Sequence, residues 1–299
     1  MSVSRCDIPL PENFRPEDIL AFHRRDGERL AEQVDDHGLK KGLLWRGLPS
    51  CLELRFQPGA ARLSLAIDGA AAADDAGRLA SLGRRMLGLD QPVEAFERQY
   101  GAHPQLGRLI AARPGLRVPQ TAFPFEALAW AITGQQISVQ AAVSIRRRML
   151  QLCDCRHSSG LLCHPDAARL AGLDADQLGQ AGFSHAKSRA ILALSRDAAA
   201  GALPLDAWLD GVPVEEISER LLAVPGIGPW TVSYALLRGY GWLDGSLHGD
   251  VAVRRAMQMT LGLPDKVSQP QAQRWLQDFS PWRALVAAHL WALLQAGGF

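Results

Sequence analysis

The chain has 299 residues, enough for one large domain or two of medium size with real cores. Hydrophobic residues make up 47% and charged residues 21%, which places it with globular rather than disordered proteins. A formal net charge of +1 excludes a global basic field, so any polyanion site has to be local, made from a few arginines and oriented backbone amides.

The first residues, MSVSRCDIPLPENF, lack the apolar core of a signal peptide, and no run reaches membrane-spanning length, so no membrane partner is expected. Five cysteines, an odd number, suggest reduced thiols and a cytoplasmic setting. A helical segment is predicted around residues 19–34. Residues 43–48 and 52–56 read as short strands, the second alternating cleanly. The turn Gln57-Pro58-Gly59 leads into another alternating run, residues 61–67, and two such runs around a Pro-Gly turn predict a hairpin. A helix over 75–87 follows. These elements describe a small α+β lobe covering residues 1–102.

From about His103 the strand signals vanish. Residues 125–152, 186–200, 214–224, 229–238, 251–261 and 281–295 carry helical periods. Starts and stops fall at Pro204, Gly211, Pro213, Gly239 and Gly249, and Ser280-Pro281 reads as a Ser N-cap with Pro in the first turn. Residues 103–299 are therefore expected to form an all-α domain of two helical lobes. The run Arg146-Arg147-Arg148 is expected on a solvated helix face. Cys153, Cys155 and Cys163, with His157 and His164, resemble a metal cluster in composition alone. Their spacing fits no regular zinc pattern, so a polar surface loop without metal is expected.

The stretch Leu221-Leu222-Ala223-Val224-Pro225-Gly226-Ile227-Gly228-Pro229-Trp230-Thr231 stops one apolar helix and restarts another at once. Pro225 and Gly226 break the first helix, Gly228 leaves room for close approach, and Pro229 starts the second with φ already set. Unpaired amides and the positive end of the helix dipole then face outward, a combination that holds a phosphate. Spacing alone equally allows a tight αα-turn that only packs.

Some twenty residues later comes Ser246-Leu247-His248-Gly249-Asp250-Val251, leading into an apolar helix. A hairpin followed by Gly-Asp resembles the helix-hairpin-helix superfamily of DNA base-excision glycosylases, closest to its alkylpurine branch. Other blocks match in order. Residues 111–119 resemble the entry to the family's helical domain, and residues 125–138 its lesion-probing helix and loop. Residues 280–283 and His289-Leu290-Trp291 resemble its closing helix, and the first lobe is similar to the family's TATA-binding-protein-like lobe. The resemblance implies an α+β chain: that small lobe, then an all-α helix-hairpin-helix glycosylase domain with its hairpin at residues 217–238.

The resemblance also implies an activity: a monofunctional glycosylase that flips a nucleotide out of duplex DNA and hydrolyses the N-glycosidic bond of an alkylated purine. Asp250 matches the family's essential aspartate, which stabilises oxocarbenium charge and orients water; on residue type alone the helix cap is the favoured reading. Trp230, Tyr234 and Trp291 match the base-stacking aromatics, whose electron-rich rings suit a cationic base. On spacing alone all three read as core, Trp291 most of all. Pro225, Gly226, Ile227, Gly228 and Thr231 are the implied DNA-backbone contacts, and Gln136 or Ile137 the wedge that fills the vacated stack.

Trp230 occupies the place where lyase-type relatives carry a nucleophilic lysine, which implies water as the nucleophile. No cysteine follows Cys163, so the iron–sulfur cluster of some relatives is not expected. No other cofactor is implied. The expected partner is double-stranded DNA, the expected state a monomer, the expected location the cytoplasm near the nucleoid. Two rivals stay open: a non-catalytic binder of damaged DNA on the same scaffold, and a glycosylase for deaminated purines such as hypoxanthine.

Overall fold

The computed structural model describes residues 2–294. Strands β1 (Ser2–Pro9), β2 (Glu32–Val34), β3 (Gly38–Trp45), β4 (Leu48–Gln57) and β5 (Ala60–Ile67) form an antiparallel sheet in the order β1-β5-β4-β3-β2. Alternation sends Leu52, Leu54, Leu63, Leu65 and Ile67 to complete burial. Helices α1 (Pro16–His23) and α2 (Asp75–Met86) join that core through Ile19, Leu20, Leu79, Leu82 and Met86.

Two expectations for this lobe need correction, and one strand carried no signal. The helix expected over 19–34 ends at His23, because the segment around Asp26-Gly27 turns, with Asp26 accepting the Glu28 amide at 3.1 Å, and the chain returns as β2. The run 43–48 is a strand end, a turn and a strand start: Arg46 and Gly47 take φ of 51° and 76° between β3 and β4. Strand β1 was not foreseen. It is an edge strand whose inward positions are Ser2, Ser4, Cys6 and Ile8, too polar to show a hydrophobic period.

The rest is helical: α3 (Val93–Tyr100), α4 (Leu106–Ala112), α5 (Pro124–Gly134), α6 (Val139–Cys153), α7 (Ala167–Ala171), α8 (Ala175–Gln180), α9 (His185–Ala199), α10 (Val214–Leu222), α11 (Pro229–Tyr240), α12 (Val251–Leu261), α13 (Gln269–Gln277) and α14 (Arg283–Leu294). These pack into two cores. One joins α3, α4 and α12 to α14; the other joins α6, α8, α9 and α10. Helices α5 and α11 contribute to both and lie against each other. Gly239 permits that approach, since a Cβ there would sit 3.1 Å from the Pro124 Cα.

The helix expected over 125–152 is two helices. Gln136 takes a φ of 57°, and Ser138 accepts the Ala141 amide at 3.2 Å to cap α6. Ser280 does not cap the closing helix. Its hydroxyl donates to Asp244 at 2.9 Å, and Asp244 accepts the backbone and side chain of Arg283 at the first position of α14. The expected end at Gln295 lies outside the described residues.

A buried group of charges joins the sheet to the helices. Lys41 on β3 donates to Glu32 on β2 and to Glu126 on α5, each at 2.6 Å. Arg146 on α6 reaches the same two carboxylates at 3.2 and 3.4 Å, and His23 lies 2.9 Å from Glu32. Arg146 thus corrects the expectation of a solvated face. Its neighbours are engaged as well: Arg147 pairs with Asp26 at 2.7 Å and Arg148 donates to the Ala181 carbonyl at 2.7 Å. Burial alone would raise the Glu126 carboxyl, but the Lys41 ammonium overrides it and, with His164 and Arg146, holds it at about 2. Glu32 is likewise held well below the usual carboxylate range by Lys41 and Arg146 against its burial.

The cysteine segment is also corrected. Cys155, His157, Cys163 and His164 are buried, because the loop folds onto the sheet: His164 bridges to Leu43, and its amide donates to the Gly42 carbonyl at 3.2 Å. All five thiols are free, and burial pushes Cys153 and Cys163 up to about 12. Among the described residues, no group of three or more His, Cys, Asp or Glu side chains is placed to hold a metal.

The charge network has a measurable consequence. Its carboxyls lie below their unfolded values, so their contribution is complete above about pH 4.5 and is lost as pH falls towards 2. Chemical denaturation should show a stability plateau near neutrality and a decline through that acid window. Glu126→Gln should cost on the order of 3 kcal/mol at pH 7, because it leaves buried cations short of a partner.

Candidate active site

The hairpin forms as its residues dictate. Gly226 takes a φ of 87° and lies so close to α9 that a Cβ would meet the Ala190 Cβ at 2.7 Å. Ile227 donates its amide to the Val224 carbonyl at 3.1 Å and buries its side chain in the second core. Of the five implied backbone contacts it is the one whose amide is already used. Gly228 is extended, at φ −107° and ψ 175°, and a Cβ there would meet nothing within 4 Å. Its hydrogens thus face open space, at the head of α11. Among the described residues the amides of Gly228, Trp230 and Thr231 have no backbone acceptor, the usual state of a helix N-terminus. Pro225 lies exposed at the turn.

The loop between α5 and α6 is tied to this hairpin. Gln135 donates its side-chain amide to the Gly226 carbonyl at 3.1 Å and to the Thr231 hydroxyl at 3.0 Å. That brace leaves Gln136 and Ile137 exposed at the loop tip, Ile137 with 38% of its surface open. An exposed isoleucine next to a left-handed residue has no packing explanation within the chain.

Asp250 is where three helices meet. Its Oδ1 accepts the amides of Ala252 and Val253 at 2.8 and 3.0 Å, which makes it the N-cap of α12. The same carboxylate accepts the indole N–H of Trp230 from α11 at 3.2 Å and that of Trp291 from α14 at 3.3 Å. Trp230 stacks on Tyr234, ring centroids 5.4 Å apart at 30°, and Tyr234 meets Trp291 at 6.4 Å and 58°. The two readings of Asp250 are therefore compatible, as are the core and pocket readings of the aromatics. Tyr234 and Trp291 are mostly buried, yet Trp230 and Asp250 are half-open.

Neither Arg254 nor Arg255 forms an ion pair with Asp250. Arg254 donates to the Val267 carbonyl at 3.3 Å, and Arg255 is exposed. His248 is held by Ser246 at 2.8 Å; burial, with the charges of Arg254 and Arg283, lowers it and keeps its imidazole neutral at neutral pH. Phe22, Arg25, Trp130 and Arg238 also border the aromatic group and had not been singled out. Only Trp130 carried a signal, one turn before Gly134 in the segment already matched to the probing helix. Phe22 and Arg25 come from the other lobe, and no local pattern places them here.

A model of the HhH-GPD superfamily base excision DNA repair protein matches residues 129–281, and one of the AlkA N-terminal domain matches residues 8–122. The chain belongs to the HhH-GPD superfamily. DNA-3-methyladenine glycosylase 2 of Escherichia coli (strain K12) is 35% identical over 188 residues, 62% of this chain and 63% of that protein. A Mycobacterium tuberculosis (strain CDC 1551 / Oshkosh) protein, "Probable bifunctional transcriptional activator/DNA repair enzyme AlkA", is 33% identical over 218 residues, 71% of this chain and 42% of that one. The chain thus spans less than two thirds of the length of these curated relatives. A solved 3-methyladenine DNA-glycosylase from Archaeoglobus fulgidus shares the fold, with a TM-score of 0.80 over 98% of both chains at 19% identity.

The capping role of Asp250 is read by substitution. Asp250→Ala removes a cap and should lower unfolding free energy by about 1 kcal/mol, whereas Asp250→Asn keeps an N-cap acceptor and should stay close to the wild-type value in the same denaturant titration.

Proposed function

We propose that this protein is a monofunctional DNA glycosylase that releases alkylated purines, of the 3-methyladenine and 7-methylguanine type, from duplex DNA. The observation that carries this reading is the position of Asp250: a half-open carboxylate at the head of α12, fixed by two indole N–H groups, one of them from Trp230 in the first turn of α11, which the hairpin with free amides opens.

In this reading the Gly226, Gly228 and Thr231 amides take a DNA phosphate, with the dipole of α11 behind them. Pro225 and Ile227 shape the turn. Gln136, assisted by Ile137, enters the stack where the nucleotide has left, and its amide offers hydrogen bonds to the orphaned partner base. The flipped base rests against Trp230, Tyr234 and Trp291. Its glycosidic bond breaks, Asp250 stabilises the positive sugar, and a water adds at C1′ after giving its proton to the carboxylate. Asp250 is suited to this because its lone pairs are oriented by N–H donors while, among the described residues, no cation pairs with it.

Water is the nucleophile in this reading because, among the described residues, no lysine forms a hydrogen bond or ion pair with Asp250. Lys41 is buried in the charge network, Lys187 donates to the Thr133 carbonyl at 2.9 Å, Lys40 faces Glu53, and Lys266 lies between α12 and α13. The amino-terminal lobe, residues 1–102 in this division, then acts as a support for α5 rather than as a saddle on DNA, which agrees with the buried Lys41–Glu126 ion pair that joins them.

Single-turnover release of free base from a methylated duplex tests the proposal. Wild-type protein should liberate methylated purine, and Asp250→Asn should do so at least about a hundredfold more slowly. Comparable rates for the two proteins would remove the assigned mechanism. Binding of an abasic duplex without any base release would instead establish a non-catalytic binder.

A further inference from the structure

The mechanism above gives Gln135 no role, yet its side chain is the link between the two elements proposed to touch DNA. Gln135 follows α5 and is half-buried. Its amide nitrogen carries two hydrogens and meets two acceptors, the Gly226 carbonyl at 3.1 Å and the Thr231 hydroxyl at 3.0 Å. Those acceptors stand on either side of the turn, Gly226 within it and Thr231 in the first turn of α11. One side chain therefore holds the loop against both ends of the segment whose amides are open.

Little else fixes the loop there. On its amino-terminal side Lys187 of α9 donates to the Thr133 carbonyl at 2.9 Å, and on its carboxyl-terminal side Ser138 caps α6. Between them Ile137 donates only to the Gly134 carbonyl, at a long 3.5 Å within the loop itself. The side chains of Gln136 and Ile137 are exposed, and Gln136 turns through a left-handed φ of 57°. Among the described residues the Gln135 amide is thus the one hydrogen-bonding tie between this loop and the hairpin. The Thr231 hydroxyl makes no other hydrogen bond among those residues, although its side chain is buried.

We propose that Gln135 is a positioning residue for nucleotide extrusion: it couples the phosphate anchor to the wedge, so that the loop tip enters the duplex at a fixed place relative to the bound phosphate. This rests on the reading of the hairpin and the Asp250 pocket as a glycosylase site. Gln135 touches neither base nor sugar; it acts through Gln136 and Ile137. A wedge offsets the cost of unstacking a nucleotide only to the extent that it is ordered beforehand, because a tip free to move loses that freedom on entering the stack. The brace removes the freedom in advance. Without it the anchor and the tip each persist but act independently, and the grip of one no longer strengthens the entry of the other. Bond cleavage at an already extruded sugar needs no brace.

Single-turnover release of 7-methylguanine from two duplexes separates positioning from chemistry. In one the lesion pairs with cytosine; in the other it stands opposite a tetrahydrofuran abasic analogue, where extrusion breaks no base pair and leaves no orphaned base. Gln135→Ala should slow release from the paired duplex by about tenfold and from the unpaired one by less than about twofold. Thr231→Val removes the hydroxyl acceptor and keeps the backbone amide. It should slow the paired duplex alone, and the double variant should be no slower than Gln135→Ala, because both changes break one contact. Equal losses on the two duplexes, no loss on either, or losses that multiply in the double variant overturn the proposal. Wild-type protein that binds the duplexes and releases no base defeats the parent reading instead. Coupling is then read from 2-aminopurine placed opposite a tetrahydrofuran analogue, whose fluorescence rises when the wedge unstacks it. Gln135→Ala should lower that rise at saturating protein; an unchanged rise overturns the proposal.

Discussion

One carboxylate holds the site together. Asp250 caps α12 with its own side chain and accepts an indole N–H from α11 and another from α14, so the registers of three helices converge on a single anion. Each of these bonds to a charged acceptor is stronger than a neutral one, and their sum fixes the carboxylate's orientation. The same contacts fix Trp230 and Trp291, and Tyr234 lies between them. A catalytic group is usually positioned by dedicated neighbours. In the function proposed above, the groups that orient the carboxylate are also the walls of the base pocket, so geometry and recognition would be set by the same bonds.

A second constraint acts at the other end of α5. That helix begins beside the buried ion pairs of Lys41, Glu32, Glu126 and Arg146 and ends at the loop carrying Gln136 and Ile137. Gln135 then ties the loop to the hairpin. The helix thus runs from the sheet to the hairpin without a mobile joint between them. Buried charges of this kind add little net stability over an apolar core, but their donors and acceptors match in only one arrangement. Their use here is registration: they set where the loop tip stands relative to the hairpin amides.

Much of this was legible in the residues. The Pro-Gly-Ile-Gly turn carries its own backbone demands, and Asp250 follows at a helix start, so local rules were sufficient for both. Trp230 and Tyr234 share a helix and a face. Trp291 was harder, because α14 is apolar on nearly every side and only its indole bond to Asp250 distinguishes it from core. What local reasoning missed depends on contacts across lobes. Arg146 looked like part of a solvated basic run until two carboxylates from β2 and α5 were placed against it. The cysteine segment looked like a surface loop because nothing nearby in the chain covers it; the cover is β3. Phe22 at the end of α1 and Arg25 just after it come to the aromatic group more than two hundred residues before Trp291, and no periodicity encodes that meeting.

The central claim is spatial: a duplex anchored on the hairpin amides presents one extruded sugar to Asp250. A crystal structure with a duplex containing a pyrrolidine abasic analogue, whose ring nitrogen mimics the charged sugar, measures this directly. The account predicts that nitrogen at about 3 Å from the Asp250 carboxylate, with a neighbouring phosphate on the Gly226 and Gly228 amides. An analogue that stays within the helical stack, or that lies out of reach of Asp250 while DNA occupies another face, would contradict it.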